Sequence, residues 1–322
     1  MDDSNDALLE KFFKGDVRSL ARVITRVENR SPEGMELLQH LFPHTGRAQT
    51  IGITGSPGSG KSSLVDRLAA FYRRRNKTLA IVAVDPSSPF TGGAVLGDRI
   101  RMNALATDPG VFIRSMATRG HLGGLATATA DVVCVLDAAS RDPILVETVG
   151  VGQDEIDIVK LADVSVVVLV PGMGDDVQAL KAGIMEIGDI FVINKCDRPG
   201  VEKMEHAIQA LLSLAHRPDG WVPPIIKTVA IEDRGIEELA ESIDRSYEHY
   251  QSASLRLAKK REAARERLMN LLQERLLHKA VETVFPNDGT GKLDNLIDRI
   301  ARRETDPYTI VEVIVRGTRF ET

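Results

Sequence analysis

The sequence predicts an α/β domain with a mostly parallel sheet covered by helices, preceded by N-terminal helices and followed by a helical C-terminal arm. Three observations carry this. Between Gln49 and about Tyr250, short apolar runs are separated by helix-length segments: Ile51–Ile53, Leu79–Val84, Val111–Ile113, Ile144–Val146, Val166–Val170, Ile190–Ile193 and Ile225–Val229. These runs lack polar alternation, as expected of parallel strands buried on both faces. On either side the apolar spacing changes to three and four residues, the repeat of one helical face. The expected division is an N-terminal helical segment over 1–48, an α/β domain over 49–250 and a helical arm over 251–322.

From Ala7 to about Leu41, the residues Leu8, Leu9, Phe12, Phe13, Val17, Leu20, Ala21 and Ile24 define amphipathic helices, and Pro43 and Gly46 then break the pattern before the first strand. That strand leads into Gly55-Ser56-Pro57-Gly58-Ser59-Gly60-Lys61-Ser62, which matches G-x-x-x-x-G-K-[ST] between a strand and a helix, with Ser63 continuing it. The glycines let backbone N–H groups turn toward a phosphate and the helix N-terminus adds its positive dipole end. Lys61 is placed to bridge β- and γ-phosphates, and Ser62 to ligate magnesium. The domain is therefore read as a P-loop NTPase.

Acidic residues come next. Asp85 closes the second strand, and Asp98 follows a glycine-containing stretch. Both are candidates for contacting a metal directly or through its waters, with a helix cap at Asp85 and an ordinary Gly-Asp turn at Asp98 as the bland alternatives. The fourth strand ends at Glu147, and Gly150 follows three residues later, the spacing of a metal-facing acid and a γ-phosphate-sensing glycine. No glutamine directly follows Gly150, and Gln153 is offset, so slow intrinsic hydrolysis is expected unless a partner completes the site.

The sixth strand ends in Asn194-Lys195-Cys196-Asp197. Asp197 can accept the ring imino and exocyclic amino hydrogens of guanine, Asn194 supports the loop and the Lys195 stem covers the base, so GTP is favoured over ATP. Val229 and Ala230, at the end of the seventh strand, can offer backbone N–H to the guanine oxygen. From Ser252 to Leu277 the Lys, Arg, Glu, Ala and Leu content and absence of proline predict one long helix. An amphipathic stretch, Leu293–Arg303, and a last apolar segment, Ile310–Val315, follow.

The 322 residues carry a net charge of −5, which gives no basic field for nucleic acid or an anionic membrane surface. Two cysteines make neither a disulfide framework nor a zinc site. With an acidic start and no apolar run of membrane length, the expectation is a cytoplasmic protein.

Four linked strings are more specific than these general motifs: Thr54–Ser63, Asp85–Met102, Arg119–Gly124 and Glu147–Gln153. Through them the chain resembles the bacterial MeaB and human MMAA GTPases, also labelled ArgK or LAO/AO transport ATPases. The resemblance implies a chaperone GTPase for an adenosylcobalamin-dependent acyl-CoA mutase, usually methylmalonyl-CoA mutase. It implies magnesium at Ser62, Asp85, Asp98 and Glu147, homodimers formed through the C-terminal arm, and cobalamin held by the partner mutase. It further ties Asp175 and Lys181 to mutase-stimulated hydrolysis; on chemistry alone Lys181 is either a source of transition-state charge or a solvated lysine at a helix start. Two other readings are weaker. A metallochaperone GTPase delivering a metal to a metalloenzyme lacks a histidine-rich tract or Cys-x-x-Cys, and a kinase or transport ATPase is opposed by Asn194–Asp197.

Overall fold

A computed structural model describes residues 3–85, 105, 107–117, 124–148, 161–172, 188–214, 217, 219–284 and 289–317. They divide into two units, 1–263 and 264–322.

The first unit opens with α1 (Asp3–Phe13), α2 (Val17–Glu28) and α3 (Pro32–Leu41). Side-chain caps start two of them. The Asp16 carboxylate accepts the Ser19 N–H at 2.7 Å, and the Ser31 hydroxyl accepts the Gly34 N–H at 3.1 Å with Pro32 in the first turn. After a 3-10 turn at Phe42–His44 come β1 (Thr50–Gly55), α4 (Lys61–Arg74), β2 (Leu79–Asp85), β3 (Val111–Ala117), α5 (Gly124–Ala138), β4 (Ile144–Glu147) and β5 (Val164–Leu169). Then follow β6 (Ile190–Ile193), α6 (Val201–Leu214), β7 (Ile225–Lys227), a 3-10 turn at Ala230–Glu232 and α7 (Ile236–Tyr250).

All seven strands pair in parallel, in the order β3-β2-β4-β1-β5-β6-β7. The chain leaves β1 toward β2 on one side and passes from β4 to β5 across it on the other. The carboxyl end of β1 is thus the topological switch point where open α/β sheets bind ligands. Each apolar run predicted from sequence is one of these strands, extended by one to four residues at most where the ends differ or trimmed at Val170 and Val229.

Alternation of side chains divides the core. Ala80, Val82, Val84 and Val146 face α5 and the N-terminal helices, burying Phe12, Ile24 and Leu37. Ile51, Ile53, Ile81, Leu145, Val166 and Val192 face α4 and α7. Val167, Leu169, Phe191 and Ile193 pack with Met204 and Ile208 of α6. The helices α1–α3 thus share a core with β2, β3 and β4. A partly buried ion pair between Arg114 on β3 and Glu28 on α2 reinforces the contact, with Arg114 Nε donating to Glu28 Oε1 at 2.9 Å.

At the opposite pole from the switch point, aspartates receive the first amides of the strands. Asp142 Oδ1 accepts from Gln49 N–H at 3.0 Å, Asp163 Oδ2 from Thr50 N–H at 2.8 Å and Asp189 Oδ2 from Ser165 N–H at 2.9 Å. Asp189 also joins a network in which Arg217 bonds Asp189, Asp219 and the Tyr250 hydroxyl at 2.9, 2.9 and 2.7 Å.

The long helix α8 (Ala253–Val284) begins in the first unit, where Lys259 Nζ donates to the Asp163 carbonyl at 2.5 Å and lies 4.4 Å from the Tyr250 ring centroid. The second unit contains the rest of α8, α9 (Gly289–Ala301) and α10 (Pro307–Gly317). The apolar segment Ile310–Val315 is part of the last helix. Among the described residues no helix is long and apolar enough to cross a membrane.

Candidate functional site: a nucleotide site at the switch point

The loop after β1 is shaped by glycines in backbone regions other residues avoid. Gly55, Gly58 and Gly60 have φ of 145°, 77° and 92°. A Cβ on Gly55 would lie 2.1 Å from the Val168 carbonyl oxygen, so the loop runs against β5 only because that side chain is missing. Lys61 opens α4 and is buried; its Nζ donates to the carbonyls of Gly55 and Ser56 at 2.6 and 3.1 Å. Those bonds hold the ammonium inside the loop, where phosphate oxygens would compete for its hydrogens. Ser56 and Pro57 form the rim, the Ser59 N–H closes the turn on the Ser56 carbonyl at 3.1 Å, and Ser63 is exposed on α4.

At the second residue of the helix, the Ser62 hydroxyl donates to Glu147 Oε1 at 2.6 Å. Glu147 is the last residue of β4, the strand between β1 and β2, and is almost fully buried. Asp85 ends β2 beside it. A hydroxyl and a carboxylate in contact are hard oxygen donors of the kind magnesium takes. Asp98 and Gly150, and likewise Asp175 and Lys181, lie outside the described residues.

The Asn194–Asp197 loop after β6 is bolted to the loop after β1. Asn194 Nδ2 donates to the Ser59 carbonyl at 2.9 Å, and its Oδ1 accepts from the Thr228 hydroxyl and the Ala230 N–H at 3.1 and 3.2 Å. Lys195 adopts φ 59° and its Nζ donates to the Gly58 carbonyl at 2.7 Å, laying the aliphatic stem over the gap between the two loops. The Cys196 N–H donates to the Thr228 carbonyl at 3.1 Å, which ties this loop to the end of β7. Asp197 is exposed, with its carboxylate available at the rim.

The Val229 amide is engaged by the Arg234 carbonyl at 3.1 Å, and the Ala230 amide faces Asn194. A donor to the guanine oxygen from this stretch therefore has to be released from one of those bonds. No motif marks this bridge, because Arg234 carries it through its backbone.

The family model described as "Methylmalonyl Co-A mutase-associated GTPase MeaB" matches residues 20–284. The chain belongs to the MeaB family. It is 47% identical over 314 residues to a Pyrococcus abyssi protein that carries a provisional GTPase name, covering 97% of this chain and 96% of that one. It is 37% identical over 243 residues to the GTPase ArgK of Escherichia coli, covering 73% of each. A solved structure described as an LAO/AO transport system kinase superposes with a TM-score of 0.72 over 98% of both chains, at 24% identity, and shows the shared fold. Like other MeaB proteins the chain is a P-loop GTPase.

Proposed function

We propose that this GTPase is a magnesium-dependent chaperone for an adenosylcobalamin-dependent acyl-CoA mutase, methylmalonyl-CoA mutase first. It gates cofactor delivery and protects or reactivates the mutase, working in the cytoplasm as a homodimer. The single observation that carries the reading is the family match over 20–284, whose description names the mutase. The geometry supports the nucleotide half. Lys61 is held where β- and γ-phosphate oxygens would replace carbonyls, and Asn194 and Lys195 fix the base loop against the phosphate loop. Ser62 and Glu147, with Asp85 and Asp98, would hold magnesium, which supplies charge neutralisation across the β- and γ-phosphates.

Cobalamin belongs to the partner in this reading. Hydrolysis by the chain alone is slow, and the mutase accelerates it through Asp175 and Lys181. The homodimer reading rests on the arm: Leu268, Met269, Leu272, Leu276 and Leu277 of α8 are exposed at helical spacing.

The test is GTP hydrolysis with magnesium, with and without the mutase from the same organism. Stimulation of at least roughly tenfold, lost in Lys181→Ala while GTP binding persists, is the expected result. No stimulation together with no complex would sink the mutase assignment and leave the GTPase untouched.

A further inference from the structure

The pole of the sheet remote from the phosphate loop holds a guanidinium without a counter-charge. Arg141, in the turn between α5 and β4, is only 8% exposed. Its Nε is enclosed with no hydrogen-bond partner, and among the described residues no carboxylate forms an ion pair with it. The charge that acts on it is of like sign, from Arg73.

The nearby acids are already committed. Asp108 Oδ2 accepts from Arg73 Nε at 2.9 Å. Asp142 Oδ1 accepts from the Gln49 N–H at 3.0 Å, and its Oδ2 from Lys77 Nζ at 2.9 Å. Two further buried groups at this pole also lack partners, the Gln49 side-chain Nε2 and the Tyr72 hydroxyl. Gln49 is bonded to Asp142 through its backbone, and the Tyr72 hydroxyl has its pKa pushed up by burial first, then by the Asp244 charge, with a smaller push from Asp142. Guanidinium, amide and phenol all present donor hydrogens.

A guanidinium largely withdrawn from water, with its Nε sealed and no opposite charge paired to it, is unfavourable. Arginine cannot escape by losing its proton, although burial and the Arg73 charge both push its pKa down. A planar donor fork beside a second arginine matches an oxyanion. We propose that Arg141 anchors a binding site for a small oxyanion of the phosphate or carboxylate class, with Gln49 and Tyr72 as further donors and Arg73 adding charge. This site is separate from the nucleotide: Arg141 precedes β4 and Glu147 ends it, so the strand, roughly 13 Å long, lies between them.

The test is thermal unfolding of the GDP-saturated protein, whose phosphate loop is filled, in phosphate, acetate or chloride at equal ionic strength and pH. The wild type is expected to gain roughly 2–4 °C in phosphate or acetate, saturating with concentration. Arg141→Leu should lose the saturating rise and keep only the weak general effect of excluded salts. In chloride it should unfold at or above the wild-type temperature, because an unpaired buried charge has gone. Arg141→Lys, which keeps the charge without the fork, should need at least roughly tenfold more anion for the same rise, and it decides the matter if Arg141→Leu does not fold. Far-UV circular dichroism checks the fold of each variant. A rise with phosphate alone assigns a tetrahedral anion, and a rise with both assigns oxyanions generally. An equal response in wild type and variants, or no saturating response to either anion, overturns the proposal.

Discussion

A methyl group at Gly60 would meet the Asn194 amide nitrogen at 2.4 Å, on a backbone whose φ of 92° L-residues rarely adopt. The loop after β1 and the Asn194–Asp197 loop, separated by 135 residues at Ser59 and Asn194, therefore fit together through one missing side chain. Gly60→Ala is expected to cost about 2 kcal/mol of support for the site, or roughly thirtyfold in GTP affinity, measured by calorimetry. Asp197→Asn should weaken GTP by roughly a hundredfold or more with little effect on ATP, since only guanine offers two hydrogens to that carboxylate. The identity of these residues is legible in sequence because each motif is local. Their mutual bracing is not, because Asn194 reaches Ser59 and Thr228 only after β1, β6 and β7 are side by side. The Ser62 contact with Glu147 was hidden for the same reason, as it depends on β4 lying next to β1.

Elements are joined by a polar knot at the foot of β6. Burial works against ionising Asp219, but hydrogen bonds from Arg217, the Trp221 N–H and Tyr250 outweigh it and bring its carboxyl down to about 2. Because the folded pKa lies below the unfolded 3.8, the resulting stability is full above about pH 4 and is lost as pH falls toward 2. Asp219→Asn is expected to lower stability at pH 7 by about 2 kcal/mol and to flatten this part of the acid transition, as read by urea titrations at pH 7, 4 and 2.5. Strands announce themselves in the sequence because burial on both faces leaves unbroken apolar runs. Helices α1–α3 announce only an apolar face. Which element covers that face is decided by residues far along the chain, such as Val82 and Val132.

Over the whole molecule, the apolar stripe of α8 bears on assembly. If the arm pairs two copies, Leu272→Lys combined with Leu276→Lys should convert a dimer to a monomer in sedimentation velocity while leaving GTP affinity within about twofold of wild type. A further consequence lies in Asp142, Asp163 and Asp189, which receive the first amides at the entries of β1 and β5. A parallel sheet has no hairpin turns to set how far one strand slides along its neighbour, and a slip of a single residue turns every side chain to the opposite face. Each aspartate acts as an end stop that permits one alignment. Since the phosphate loop begins at the last residue of β1, those stops decide, from the far end of the strand, whether Gly55 arrives beside Val168 or one position off. Fidelity of the nucleotide site is therefore written into residues that never approach the nucleotide.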